Sequence, residues 1–165
     1  MSVVSNPYSF NIISNYKVNA DIIEFTPPSW TVPGSYTWIA PFTGTIQLEI
    51  AGAGGGGAKY GEVDSATGGN GNLLSTTYNV VLNKNYSIIV GKGGLSVFSD
   101  YHDNPIGEPG EASSFEELVS EGGGAGSAEY KSIQNGTNAG NGNGGKGAAY
   151  PNNGQDGWVK MYLEA

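Results

Sequence analysis

The residues able to do chemistry are few and crowd into one stretch. Asp100, His102, Asp103, Glu108, Glu111, Glu116, Glu117 and Glu121 all fall within it, and His102 is the only histidine of the chain. The oxygen-rich loop from Asp100 to Glu108 has the donor type that calcium takes, but not the Asp-x-Asp-x-Asp-Gly spacing of a dedicated site. The expectation is a solvated acidic loop with no metal. Catalysis by His102 would need a nucleophile or second base placed by the fold, and no G-x-S-x-G elbow accompanies it. The neighbouring glutamates invite comparison with a glycosidase pair, but such a pair is defined by separation in space and not by proximity in sequence. The chain is therefore expected to be non-enzymatic and to carry no cofactor.

A second apparent motif falls away on context. Gly52-Ala-Gly-Gly-Gly-Gly57 satisfies G-x-G-x-x-G and follows an apolar strand pattern. A dinucleotide site would open a helix there and place an acidic residue about 20 positions on. Here glycines at 61, 68 and 69 interrupt, and Tyr78 and Asn79 stand where the acid belongs. Better candidates for contact are the tyrosines set among Gly, Asn and Ser. Tyr60, Tyr101, Tyr130 and Tyr150, with His102 beside Tyr101, make a mixture suited to binding surfaces, because tyrosine gives rigid amphipathic area while small polar residues adapt. Aromatic rings also stack on sugars. The competing reading is that half of these tyrosines lie as lids over packed glycine.

The composition decides what scaffold must hold such residues. Glycine is 28 of 165 residues, far above the roughly 7% average, yet three Trp, ten Tyr and five Phe are too many for a disordered linker. The net charge is −8 with no arginine, which excludes the usual phosphate chemistry of nucleic-acid binding and disfavours anionic membranes. With no cysteine, disulfides and thiolate sites are excluded. The N-terminal residues lack the pattern of a signal peptide, and no apolar run has the length of a membrane helix.

Apolar alternation then marks strands. Ile46, Leu48 and Ile50 share one face of a central strand that runs straight into the first glycine tract, with Gln47 and Glu49 on the other face. Leu73 to Leu82 and Tyr86 to Val90 read as a hairpin about a turn at 83–85. Residues 113–119 read as a short strand or a helical turn, and Trp158 to Glu164 closes the chain as a last strand. Small residues recur at every third position, as at Gly52, Gly55, Ala58 and Gly61, then at Gly122, Ala125 and Ala128, and again at Gly136, Ala139, Gly142 and Gly145. Three residues per turn is the period of an extended polyproline-II-type helix, which has no internal hydrogen bonds and must pair with neighbours. Gly52, Gly55, Gly122, Gly142 and Gly145 are the expected structural positions of such a lattice. The fold class expected is all-β: a jelly-roll-like β-sandwich of about eight strands with a lobe of packed polyglycine-II-type helices and glycine-rich loops. Residues 1–28 form an N-terminal arm suited to docking, and 29–165 the domain.

The order of these pieces resembles a known family. Tyr36-Thr-Trp-Ile-Ala-Pro41, Ile46 through Gly57, Tyr86-Ser-Ile-Ile-Val-Gly-Lys-Gly-Gly94, Gly110-Glu-Ala-Ser-Ser-Phe115, Gly122-Gly-Gly-Ala-Gly126 and Asn143 through Tyr162 are similar to the glycine-rich domains of phage tail-fibre adhesins and related virion surface proteins. The resemblance covers about residues 34–164. It implies a non-enzymatic module at the virion surface, with binding loops projecting between glycine helices. Its implied partners are other virion proteins and a host surface protein or glycan, with no nucleic acid and no membrane insertion. The oligomeric state is left open. Two departures, the short chain and the Asn residues standing where richer members have Gly, leave room for a capsid or baseplate decoration protein that binds no receptor.

Overall fold

The computed structural model describes residues 16–19, 22–62, 64–100, 104–129 and 132–163. All regular elements among them are strands. In chain order these are β1 (Tyr16–Asn19), β2 (Ile22–Phe25), β3 (Ser29–Trp30), β4 (Gly34–Ile39), β5 (Gly44–Ala51), β6 (Ala58–Tyr60), β7 (Asp64–Ala66) and β8 (Leu73–Val80). They continue with β9 (Asn85–Val90), β10 (Val97–Ser99), β11 (Ser113–Phe115), β12 (Leu118–Ser120), β13 (Ser127–Glu129), β14 (Ser132–Gln134) and β15 (Trp158–Leu163).

Two four-stranded sheets, ordered β3-β15-β5-β8 and β12-β11-β9-β4, face each other. Their inner residues follow from alternation. Ile46, Leu48 and Ile50 of β5 are fully buried, as are Ile88 of β9 and Val159 of β15. Aromatic rings fill the middle: Tyr86 stacks on Phe115 at 5.6 Å and meets Trp38 at 5.7 Å, while Tyr78 sets its edge to Phe115 at 5.2 Å. Such ring pairs contribute about 1 kcal/mol each beyond the area they bury. The N-terminal arm holds the β1–β2 pair, and Phe25 at its end packs on the sandwich and against Phe42. The first fifteen residues of that arm lie outside the described set.

Two expectations change. Leu73–Leu82 and Tyr86–Val90 do not form a hairpin: β8 pairs with β5, and β9 pairs with β4 and β11, so the turn between them carries the chain from one sheet to the other. Alternation alone fits both arrangements. What selects the crossing is that Val80 and Tyr86 both enter the core, from opposite sides. The turn is locked to the segment just after β4, because Asn83 donates to Ala40, Ala40 donates to Lys84, and Leu82 donates to the Thr43 hydroxyl. Residues 113–119 resolve as a β11–β12 hairpin turning at Glu116, whose φ is 50°. Leu163 is the weaker exception: it continues the inward pattern of Val159 and Met161 yet stands 45% exposed at the strand end.

Candidate functional site

Residues 52–57 continue β5 out of the sandwich, and none of them is exposed. Their backbone groups are paired in a repeating order. Gly52 and Gly55 donate to Asn72 and Gly69, Ala53 and Gly56 to Glu111 and Glu108, and Gly54 to Gln155. Gly57 completes the third direction through a hydroxyl: it donates to Ser96 Oγ at 3.0 Å, and Ser96 in turn donates to the Asn152 carbonyl. The carbonyls repeat the pattern, with Gly52 and Gly55 accepting from Gly145 and Ala148, Ala53 and Gly56 from Gly123 and Gly126, and Gly54 and Gly57 from Gly94 and Val97. The bonding direction therefore returns at every third residue, matching the spacing of small residues in the sequence. All six N–H groups of the G-x-G-x-x-G segment are spent inside the protein, so they form no phosphate cradle.

Close approach is what requires glycine here. A Cβ built on Gly52, Gly54, Gly55 or Gly56 would come closer than 3.0 Å to a neighbouring backbone carbonyl, those of Glu121, Lys146, Gly124 and Leu95 respectively. Gly122 and Gly145 meet backbone in the same way, whereas Gly142 sits in a turn with a φ of 66° and faces the Asn138 side chain.

These pairings also carry direction. The bonds from Gly94 and Val97, from Gly123 and Gly126, and from Gly145 and Ala148 all advance with residues 52–57, so four tracts run parallel away from the sandwich. Residues 68–72, 107–111 and 153–157 run back, since their partners fall as their numbers rise. The four outgoing tracts thus deliver the chain to one far end. There β10 pairs in parallel with β6, placing Ser99 beside Tyr60, and Gly61 donates to the Ser99 carbonyl. Phe98 of β10 is 41% exposed and stacks on Tyr150, 37% exposed, with ring centroids 5.5 Å apart. Ile106, bridged to Ser127, and Ile133 of β14 add exposed apolar area.

The sequence-predicted residues divide accordingly. Tyr150 lies in this surface. Tyr60 is half-buried and packs on the small cluster of Ala58, Ala66 and Ala128, which is the lid arrangement. Tyr101, His102 and Tyr130 lie outside the described residues. Phe98 and Ile106 do not stand out in the sequence; the adjacent β-branched and aromatic residues Val97 and Phe98 are the one strand signal there, and they stand in a stretch that reads as loop. The glutamates have structural partners: Glu116 Oε1 accepts from the Ser87 amide, Glu111 Oε2 from the Lys92 amide, and Glu117 Oε2 from the Tyr78 hydroxyl. Partial burial, and then Glu117, raise the Tyr78 pKa above the usual 10.0. Tyr162, which donates to Glu49 Oε2 at 3.0 Å, is raised by partial burial and then by that bond.

What fold and surface define is an all-β sandwich extended by a hydrogen-bonded glycine lattice that presents an aromatic end. A family model for a glycine-rich domain matches residues 31–159, and the chain belongs to that family. A search of curated proteins finds no match.

Proposed function

We propose that the chain is a non-enzymatic virion surface module, a tail-fibre or appendage domain that recognises a host surface protein or glycan with the far end of its lattice. The observation that carries this reading is the Phe98–Tyr150 stack, exposed at the end of four parallel tracts tied to their neighbours by backbone hydrogen bonds. A rigid aromatic surface loses little conformational freedom on binding, so less of the contact energy is consumed by ordering. The resemblance to phage tail-fibre adhesins supports the viral setting. In this reading the tracts are polyglycine-II-type helices, supported by the three-residue repeat of their bonds. The test is binding of labelled protein to a panel of intact cells and surface glycans. Saturable binding to one cell type, lost in Phe98→Ala and Tyr150→Ala with unchanged thermal midpoints, is expected; equal binding by both variants overturns the assignment.

A decoration protein of a capsid or baseplate is the second reading. It is favoured by Ile89 and Val119, each nearly half exposed and aligned through Ser114 in one row across the outer face of their sheet. In that case Ile89→Lys abolishes retention in particles while the aromatic end can be altered freely.

A further inference from the structure

At the opposite end of the tracts, where they rejoin the sandwich, Thr31, Gln155, Asp156, Gly157, Trp158 and Lys160 line a cavity of about 430 Å³. The position follows from the chain: Gly157 donates to Gly91, the first residue after β9, and Trp158 begins β15. Val159 and Met161 face the core, so Trp158 and Lys160 share the outer face of their sheet.

The walls are held by bonds that leave particular atoms free for an occupant. Asp156 Oδ1 accepts from the Gly93 amide at 2.8 Å, which fixes the carboxylate and leaves Oδ2. Gln155 Oε1 accepts from the Lys146 amide at 3.2 Å, which leaves the two amide protons of Nε2. The Lys160 ammonium stands 5.3 Å from the centroid of the Trp158 ring. Trp158 Nε1–H is buried and has no acceptor, although buried donors of this kind are nearly always paired. The volume lies in the range of small-molecule sites, which combine apolar walls with a few placed polar groups.

We propose that this cavity binds a neutral pyranose. A carboxylate oxygen beside an amide and an ammonium matches adjacent hydroxyls, each of which both donates and accepts. The indole supplies an apolar wall for the C–H face of the ring. Charge selects against an anionic sugar, because Asp156 and Lys160 cancel, Glu49 stands opposite Lys160 on β5, and the whole chain carries −8. The site is separate from the Phe98–Tyr150 surface and does not depend on its role.

The test uses the full chain labelled with ¹⁵N and titrated with a panel of methyl pyranosides, including glucoside, galactoside and N-acetylglucosaminide. The expected result is a saturable shift of the Trp158 indole N–H resonance with at least one of them, at a Kd of about 1 mM. Asp156→Asn keeps an oxygen for Gly93 and removes the charge, and with Lys160→Gln it is expected to weaken binding about tenfold or more at an unchanged thermal midpoint. Phe98→Ala leaves this binding intact. No shift at Trp158 with any pyranoside, or shifts confined to the Tyr150 end, overturns the proposal, and so does equal binding by both cavity variants.

Discussion

Gly54 and Ala53 are adjacent, equally buried and opposite in what they tolerate. Ala53 carries its methyl group with no exposure, whereas a Cβ on Gly54 would meet the Lys146 carbonyl and the Gly147 nitrogen. The obstacle is the backbone of the neighbouring tract, and it cannot swing aside as a flexible side chain would. Gly54→Ala is therefore expected to cost about 3 kcal/mol, the upper range for overpacking, and to lower the melting temperature by roughly 10 °C. Ala53→Gly is expected to cost only about 1 kcal/mol. Calorimetry on the pair checks the claim, and equal midpoints would mean that the tracts are not in contact at this position. Gly145→Val follows Gly54→Ala, since its Cβ meets Gln155 and Gly54 backbone; at Gly142, where φ is positive and any Cβ would press on the Asn138 side chain, asparagine is expected to cost less than valine. The two tyrosine–glutamate pairs set a pH response. Both tyrosines hold their protons more tightly folded than unfolded, so their contribution is fully present below pH 10.0 and is lost as pH rises through the raised values. Stability is expected to fall above that pH, and the double variant Tyr78→Phe, Tyr162→Phe to flatten the fall.

Elements at the margin of the lattice replace glycine carbonyls with side chains. Asn135, Asn138 and Asn141 offer Oδ1 to the amides of Thr67, Asn70 and Leu73, each pairing three residues beyond the last. Gly136 and Ala139 return the bonds by donating to Thr67 and Asn70. The outermost tract is thus stitched on by an asparagine ladder with the lattice's own period. Replacing all three asparagines by alanine is expected to cost about 3 kcal/mol, at roughly 1 kcal/mol per bond, while Asn138→Asp keeps the acceptor and most of the stability. Denaturant titration separates the two. The period-three placement of Gly and Ala is legible from residue types alone because every third residue faces the same neighbour. So is the inner face of β5, because alternation against a core has one solution. The sheet crossing after β8 is not legible: pairing partners far apart in sequence are chosen by how Val80 and Tyr86 fill a shared core. The asparagines read only as turn formers and departures from glycine, since their role depends on a tract 68 residues away. Phe98 escapes notice because one β-branched–aromatic pair between polar residues is too short to mark a strand.

Across the whole molecule, two kinds of interior are joined by continuous backbone. The sandwich buries side chains; the lattice buries peptide groups, and residues 52–57 pass from one to the other between β5 and β6. Peptide exposure lowers the heat capacity of unfolding and apolar exposure raises it. The chain is therefore expected to show a heat-capacity change below the usual range of about 12–15 cal/mol/K per residue. It is also expected to melt in one transition. Opening the lattice alone would strip residues 52–57 of partners in six neighbouring tracts at once, and most of those tracts lead directly into sandwich strands. Hydrogen exchange resolves the point residue by residue. The amides of Gly54, Gly55 and Gly56 should exchange as slowly as those of Leu48 and Ile88 in the sandwich, because both sets open only in global unfolding. Faster exchange in the glycines, with a second calorimetric transition, would make the lattice an independent unit, and the aromatic end it carries could then not be held rigid by the sandwich below it.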